Sequence, residues 1–212
     1  MLKTKLFRGA ALGLGLGLAL ASAASAQSVA TSAINNNQSQ VGQVSASLNA
    51  TVQKVTDEVS LTAAAIGNTA TIEGTSVTTL NNAQAFNGQA SSSLNGSLGN
   101  VVGDVNATSA AIANTATLKL DTANTINNSQ YVNFDPSAKL SLTAGPVDGA
   151  VTATAAAINN SATITADAAT FNTTQIAYAP STSTANAVIG DVTGAVSVTS
   201  AAIGNTLTIK GF

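Results

Sequence analysis

The chain has no cysteine, no histidine and no tryptophan in its 212 residues. Without cysteine, disulfides cannot hold it together. Without histidine, the commonest general base and the commonest metal ligand are both missing, so neither an enzyme nor a cofactor is expected. Aromatic residues make up 3% and charged residues 8% of the chain, which rules out a conventional core of bulky side chains. The regular aliphatic spacing and low charge argue equally against simple disorder. Only three prolines occur, Pro136, Pro146 and Pro180, all in irregular stretches where loops or edges are tolerated. What remains abundant is Ala, Ser, Thr, Asn, Val and Gly, a composition suited to thin stacked layers.

The first 26 residues read as a secretory signal peptide. Lys3, Lys5 and Arg8 give a basic start, Gly9 to Ala21 is an apolar run too short to span a bilayer, and Ala24-Ser25-Ala26 is a small-residue cleavage site. Residues 27–212 are then expected to form one exported repeat domain. This part carries four lysines against nine acidic residues, a net of −5, which argues against nucleic acid as a partner.

Four copies of one pattern fill that domain. Ile34, Leu80, Ile126 and Phe171 are each followed by Asn (Asn35, Asn81, Asn127, Asn172) and, three residues further on, by Gln (Gln38, Gln84, Gln130, Gln175). These origins lie 46, 46 and 45 residues apart, dividing the domain approximately into 27–73, 74–119, 120–165 and 166–212. A second landmark isoleucine follows in each copy (Ile66, Ile112, Ile158, Ile203). Seven residues before it stands a valine (Val59, Val105, Val151, Val196), and two after it an asparagine (Asn68, Asn114, Asn160, Asn205). A fixed period of this length signals units that bury their apolar faces against one another.

Segments such as Val196-Ser-Val-Thr-Ser and Thr206-Leu-Thr-Ile alternate apolar with polar, the period of a half-buried strand. Gly67-Asn68 and Gly204-Asn205 have the chemistry of tight corners with left-handed backbone angles. The Ala-rich runs have helix propensity, but the flanking β-branched residues and the lack of a helical apolar stripe favour strand. The expected fold is therefore all-β: a β-solenoid-like stack of four ~46-residue repeats, with a four-bladed propeller as the alternative. An extended contour of about 150 Å per repeat suggests two coils of about 23 residues each. In register, the Asn and Gln positions become side-chain ladders, and the valines and landmark isoleucines become a dry core seam.

The acidic residues Asp57, Asp104 and Asp148 occupy similar repeat positions, where solvated turn aspartates are favoured over calcium ligands. Thr69/Thr71, Thr115/Thr117 and Thr206/Thr208 suggest an alternative function, a secreted non-polymerising module whose Thr-x-Thr rows bind a carbohydrate or ice surface. Ser161 interrupts that array.

Segments such as Ser32-Ala-Ile-Asn-Asn-Asn-Gln38 and Ile126-Asn-Asn-Ser-Gln130, in an exported cysteine-free chain, resemble the curlin-like extracellular fibre subunits of Gram-negative bacteria and related surface proteins that anchor adhesive holdfasts. The resemblance implies a functional-amyloid-like subunit that leaves the cell unfolded, through outer-membrane secretion machinery. Outside, it would form stacked β-structure at the cell surface, self-associate or join another fibre subunit, and support adhesion and biofilm.

Overall fold

The computed structural model describes residues 14–20, 23–26 and 31–211, and every element in it is a strand. Two short strands, β1 (Leu14–Leu20) and β2 (Ala23–Ala26), precede β3 (Thr31–Val41) and β4 (Val44–Val52). The expected leader thus lies partly outside the described residues, and its cleavage site falls in β2. Then the same series recurs: β5 (Val59–Asn87), β6 (Ala90–Leu98) and β7 (Val101–Val102); β8 (Val105–Val132), β9 (Ser137–Ala144) and β10 (Val147–Asp148); β11 (Val151–Ala177), β12 (Thr182–Ile189) and β13 (Val196–Lys210).

Each described strand pairing is parallel and joins equivalent positions of successive repeats. Ile66 lies beside Ile112, Ile112 beside Ile158, and Ile158 beside Ile203. One 46-residue repeat is therefore one coil of a solenoid. This corrects the two-coil expectation, which assumed that so long a contour could not close compactly. The propeller alternative is likewise set aside, because the first and last repeats lie at opposite ends of the stack.

The long contour is accommodated by pinching each coil into two lobes. Along β5 the inward residues are first the odd ones, Val59, Leu61, Ala63 and Ala65; then Gly67 and Asn68 both point inward, and the phase passes to Ala70 and Ile72. Two successive inward residues bend the strand without breaking it. One lobe encloses a large apolar core that includes Leu61, Phe86, Leu94, Val105 and Leu140. The other encloses a smaller core of Ile72, Leu80, Leu118, Ile126, Ile164 and their neighbours.

Gly67-Asn68 and Gly204-Asn205 consequently sit inside continuous strands. The positive φ values in the described residues are at Gly42, Gly103, Gly149 and Lys54, so the expected left-handed corners at Gly67-Asn68 and Gly204-Asn205 are corrected to bends. Gly67 is small for a different reason: a Cβ there would come within 2.5 Å of the Ala113 carbonyl oxygen and of the Phe86 ring. Phe86 is the largest fully buried side chain among the described residues, and the glycine makes room for it. One coil further on, the equivalent positions hold Ala113 and Val132, a larger residue facing a smaller one. At the Gly103 corner (φ +126°) a Cβ would meet the Asp57 backbone at 2.7 Å, so glycine is needed there for both conformation and space.

The 45-residue spacing of the last repeat is absorbed locally. Pairing of β11 with β8 slips between Ala166 and Asp167, where Asp121 has no counterpart, and resumes in register through to Ala177.

The valine and isoleucine landmarks separate. Val59, Val105 and Val151 are buried, whereas Val196 is 51% exposed at the end of the stack. Ile66, Ile112, Ile158 and Ile203 stack in a column on the outer side and are only half-buried, so they are not part of the core seam expected for them. The reason is parity: seven residues separate each valine from its isoleucine, and an odd step along a strand reverses the face.

Gly67 and Gly204 occupy the same repeat position but differ in surroundings, since nothing lies within 4 Å of a Cβ built on Gly204. Gly67→Ala is expected to destabilise the fold by about 1–3 kcal/mol through overpacking, while Gly204→Ala leaves the thermal unfolding midpoint essentially unchanged. Equal effects at the two sites would refute the packing role given to Gly67.

Candidate assembly surface

The waist between the two lobes is built from amides. Asn68 Nδ2 donates to Asn114 Oδ1 at 2.8 Å, Asn114 to Asn160 at 2.9 Å, and Asn160 to Asn205 at 2.8 Å. A glutamine ladder faces this row and runs in the opposite donor direction. Gln175 Nε2 donates to Gln130 Oε1 at 2.7 Å, Gln130 to Gln84 at 2.8 Å, and Gln84 to Gln38 at 2.9 Å.

Each ladder also bonds across the waist to the backbone. The asparagines donate to the carbonyls of Ala85, Tyr131, Ile176 and Gln175. The glutamines donate to those of Thr69, Thr115, Ser161 and Thr206. Asn68, Asn114, Asn160, Gln38, Gln84 and Gln130 are all buried, so these bonds replace water for groups that cannot reach it. The two walls of the coil are thereby tied at the point where apolar packing is interrupted.

The second asparagine row lies elsewhere. Asn172 donates to Asn127 at 2.9 Å, Asn127 to Asn81 at 2.7 Å, and Asn81 to Asn35 at 2.6 Å, along an outward face where water competes for the same groups. A further ladder runs beside it through the second asparagine of the Asn-Asn-x-Gln segments: Asn36 donates to Asn82 at 2.6 Å and Asn82 to Asn128 at 2.7 Å. Its signal was present as Asn recurring with the same period one position after the outer row. Thr173 ends it, and both Asn128 Nδ2 and Thr173 Oγ1 are buried without a partner.

The aspartates of the corners fasten the backbone. Asp57 accepts from the Glu58 N–H, Asp104 from the Ala150 N–H, and Asp148 from the Thr193 hydroxyl. Among the described residues no three acidic groups converge in a way that could hold a metal ion.

The C-terminal end of the stack is open. β12 pairs only with β9 and β13 only with β11, so each has an unpaired edge. Apolar positions that are buried within the stack are uncovered here: Val196 and Val198 are 51% and 46% exposed, and Leu207 and Ile209 are each 44% exposed. An unpaired edge with apolar side chains is a template for another strand.

Residues 16–211 match the family model described as holdfast attachment protein D (HfaD). The chain belongs to the holdfast attachment protein D family. Membership gives the protein an adhesive role in holdfast attachment, at the bacterial cell surface or outside it. No curated protein and no solved structure matches the chain. The geometry of this family member is thus that of a stacked β-coil with paired amides inside and an unpaired apolar edge along β12 and β13.

Asn114→Ala removes a donor and an acceptor from the inner ladder and strands groups on Asn68, Asn160 and Tyr131. A loss of about 1–3 kcal/mol for each buried group left unpaired is expected, against a few tenths for Asn127→Ala on the outer row, a surface change. Thr173→Asn, which extends the interrupted ladder to Asn128, is expected to raise stability by about 1 kcal/mol. Chemical denaturation of the three variants checks all of these values, and a destabilised T173N would contradict the ladder account.

Proposed function

We propose that the protein is a secreted structural subunit that anchors a holdfast by joining β-stacks end to end, with further copies of itself or with another fibre subunit. The single observation that carries this reading is the bare edge of β12 and β13, where the ladder stops with apolar side chains uncovered. Every interior coil is held by parallel backbone pairing, amide ladders and aliphatic packing, and the end coil presents all three on one side. Charge and proline, the usual devices that blunt a sheet edge, are sparse on β13, whose one charged residue is Lys210. The curlin-like character of the Asn and Gln segments supports the same reading. So does the signal-peptide-like start, which fits passage through outer-membrane secretion machinery to the surface of a Gram-negative cell, where a biofilm matrix forms.

A second reading draws on one row of side chains. Thr71, Thr117, Thr163 and Thr208 form an unbroken exposed column, flanked by the half-buried Thr69, Thr115, Ser161 and Thr206. Such a regular array of hydroxyls and methyls suits an ordered carbohydrate or ice surface. Retention on insoluble polysaccharide or thermal hysteresis would support it, and absence of both disposes of it.

For the leading reading, assembled protein is expected to give meridional diffraction near 4.7–4.8 Å. Val198→Lys with Leu207→Lys is expected to suppress assembly while leaving the unfolding midpoint of the single chain nearly unchanged, because both positions are exposed. A mature wild-type chain, freed of residues 1–26, that stays monomeric in light scattering at high concentration would overturn the proposal.

A further inference from the structure

Resting on the end-to-end reading above, we infer that the strand which completes the bare β13 edge is the first half of β5 in a second copy. The two copies join head to tail in one register, and the chain's own β1 and β2 compete for the same place.

The register follows from pairings already present. β1 and β2 lie along the outer edge of β5, with Leu20 beside Ile66, Ala23 beside Thr69 and Ala26 beside Ile72. If the solenoid continued from one copy into the next, Ile203 would lie beside the second copy's Ile66, Thr206 beside its Thr69 and Ile209 beside its Ile72. These are the positions that Leu20, Ala23 and Ala26 hold. An intact leader segment therefore blocks the acceptor edge, and its removal after Ala26 frees that edge. In the joined state Val196, Val198, Leu207 and Ile209 would cover Val59, Leu61, Ala70 and Ile72 of the second copy, apolar against apolar throughout.

Two further observations set the polarity. The column Val41, Asn87, Asn133 and Tyr178 is amide in its middle, where Asn133 donates to Asn87 at 3.0 Å, and apolar at its ends. Val41 is 73% and Tyr178 67% exposed. These two residues depart from asparagine at the two ends of the described column, and a head-to-tail junction sets one upon the other. The glutamine ladder gives the second constraint. All its side-chain bonds point one way, leaving Gln175 with a free acceptor at one end and Gln38 as the leading donor side at the other. A copy added in the same orientation lets the second copy's Gln38 donate to Gln175; a copy added head to head breaks the sequence and requires antiparallel strands.

The cysteine-free chain makes the test direct. Val41→Cys and Tyr178→Cys are made separately in the full chain carrying a protease site between Ala26 and Gln27. Each variant is folded, cut or left uncut, freed of the released leader peptide, and oxidised alone or mixed with the other. The expected result is a cross-linked dimer, with matching loss of the monomer band, in the cut mixture of V41C with Y178C. Either variant alone, and the uncut mixture, should remain monomeric on a non-reducing gel. Cross-linking of Y178C with itself, or equal cross-linking of cut and uncut chains, would overturn the register or the competition respectively. A cut chain that shows only monomer in light scattering fails the end-to-end reading itself, an outcome the gel and the scattering together separate from the other two.

Discussion

A buried amide must find all of its hydrogen-bond partners inside the protein, and in this solenoid that requirement fixes how each coil sits on the next. The inner asparagines and glutamines lie where the two lobes meet, too deep for water. Their side chains are satisfied only when an identical residue stands directly above or below and a backbone carbonyl stands opposite. A slip of one residue between coils would set Asn68 beside Ala113 or Thr115 and would unpair the glutamines at the same time. With each stranded group costing about 1–3 kcal/mol, the correct register is separated from its neighbours by a wide gap. Alanine-rich walls are otherwise poor at defining register, because small side chains pack nearly as well one step out of place. The amides supply the specificity, and the aliphatic cores on either side supply the bulk of the burial.

The same constraint explains the shape. A 46-residue coil could not enclose a round interior with side chains this small. Tying its opposite walls through Asn and Gln pinches it into two narrow lobes that Ala, Val, Leu and Ile can fill. Phe86 is the exception in size, and Gly67 yields the space for it. Irregularity is confined to the corners, where the one-residue shortening of the last repeat and the prolines are accommodated outside the ladders.

Much of this was legible in the repeat spacing. The period of 46, the all-β character, the parallel stacking of like on like and the identity of the ladder positions follow from Asn and Gln recurring at fixed distances from an aliphatic origin. Three features were not legible, each for a physical reason. The number of coils depends on whether a long contour is pinched, which the bonds between Gln84 and the Thr115 carbonyl decide and no local pattern announces. The outward direction of Ile66 depends on counting strand parity from Val59 through an unbroken strand, whereas a turn at Gly67 had been expected nearby. The steric need for Gly67 depends on Phe86, nineteen residues further along the chain and adjacent only after the coil closes.

An open stack of equivalent coils fits membership of an attachment family. The end-to-end joining proposed for it needs a regular surface and an open edge, and both rest on the buried ladders holding every coil in one register. Hydrogen exchange of side-chain amides, followed by NMR residue by residue, tests that claim most directly. The amide protons of Asn114 and Gln130 are expected to exchange as slowly as the backbone of the surrounding core strands, opening only with the whole stack. Exchange of those protons as fast as that of the exposed Asn95 would contradict that claim.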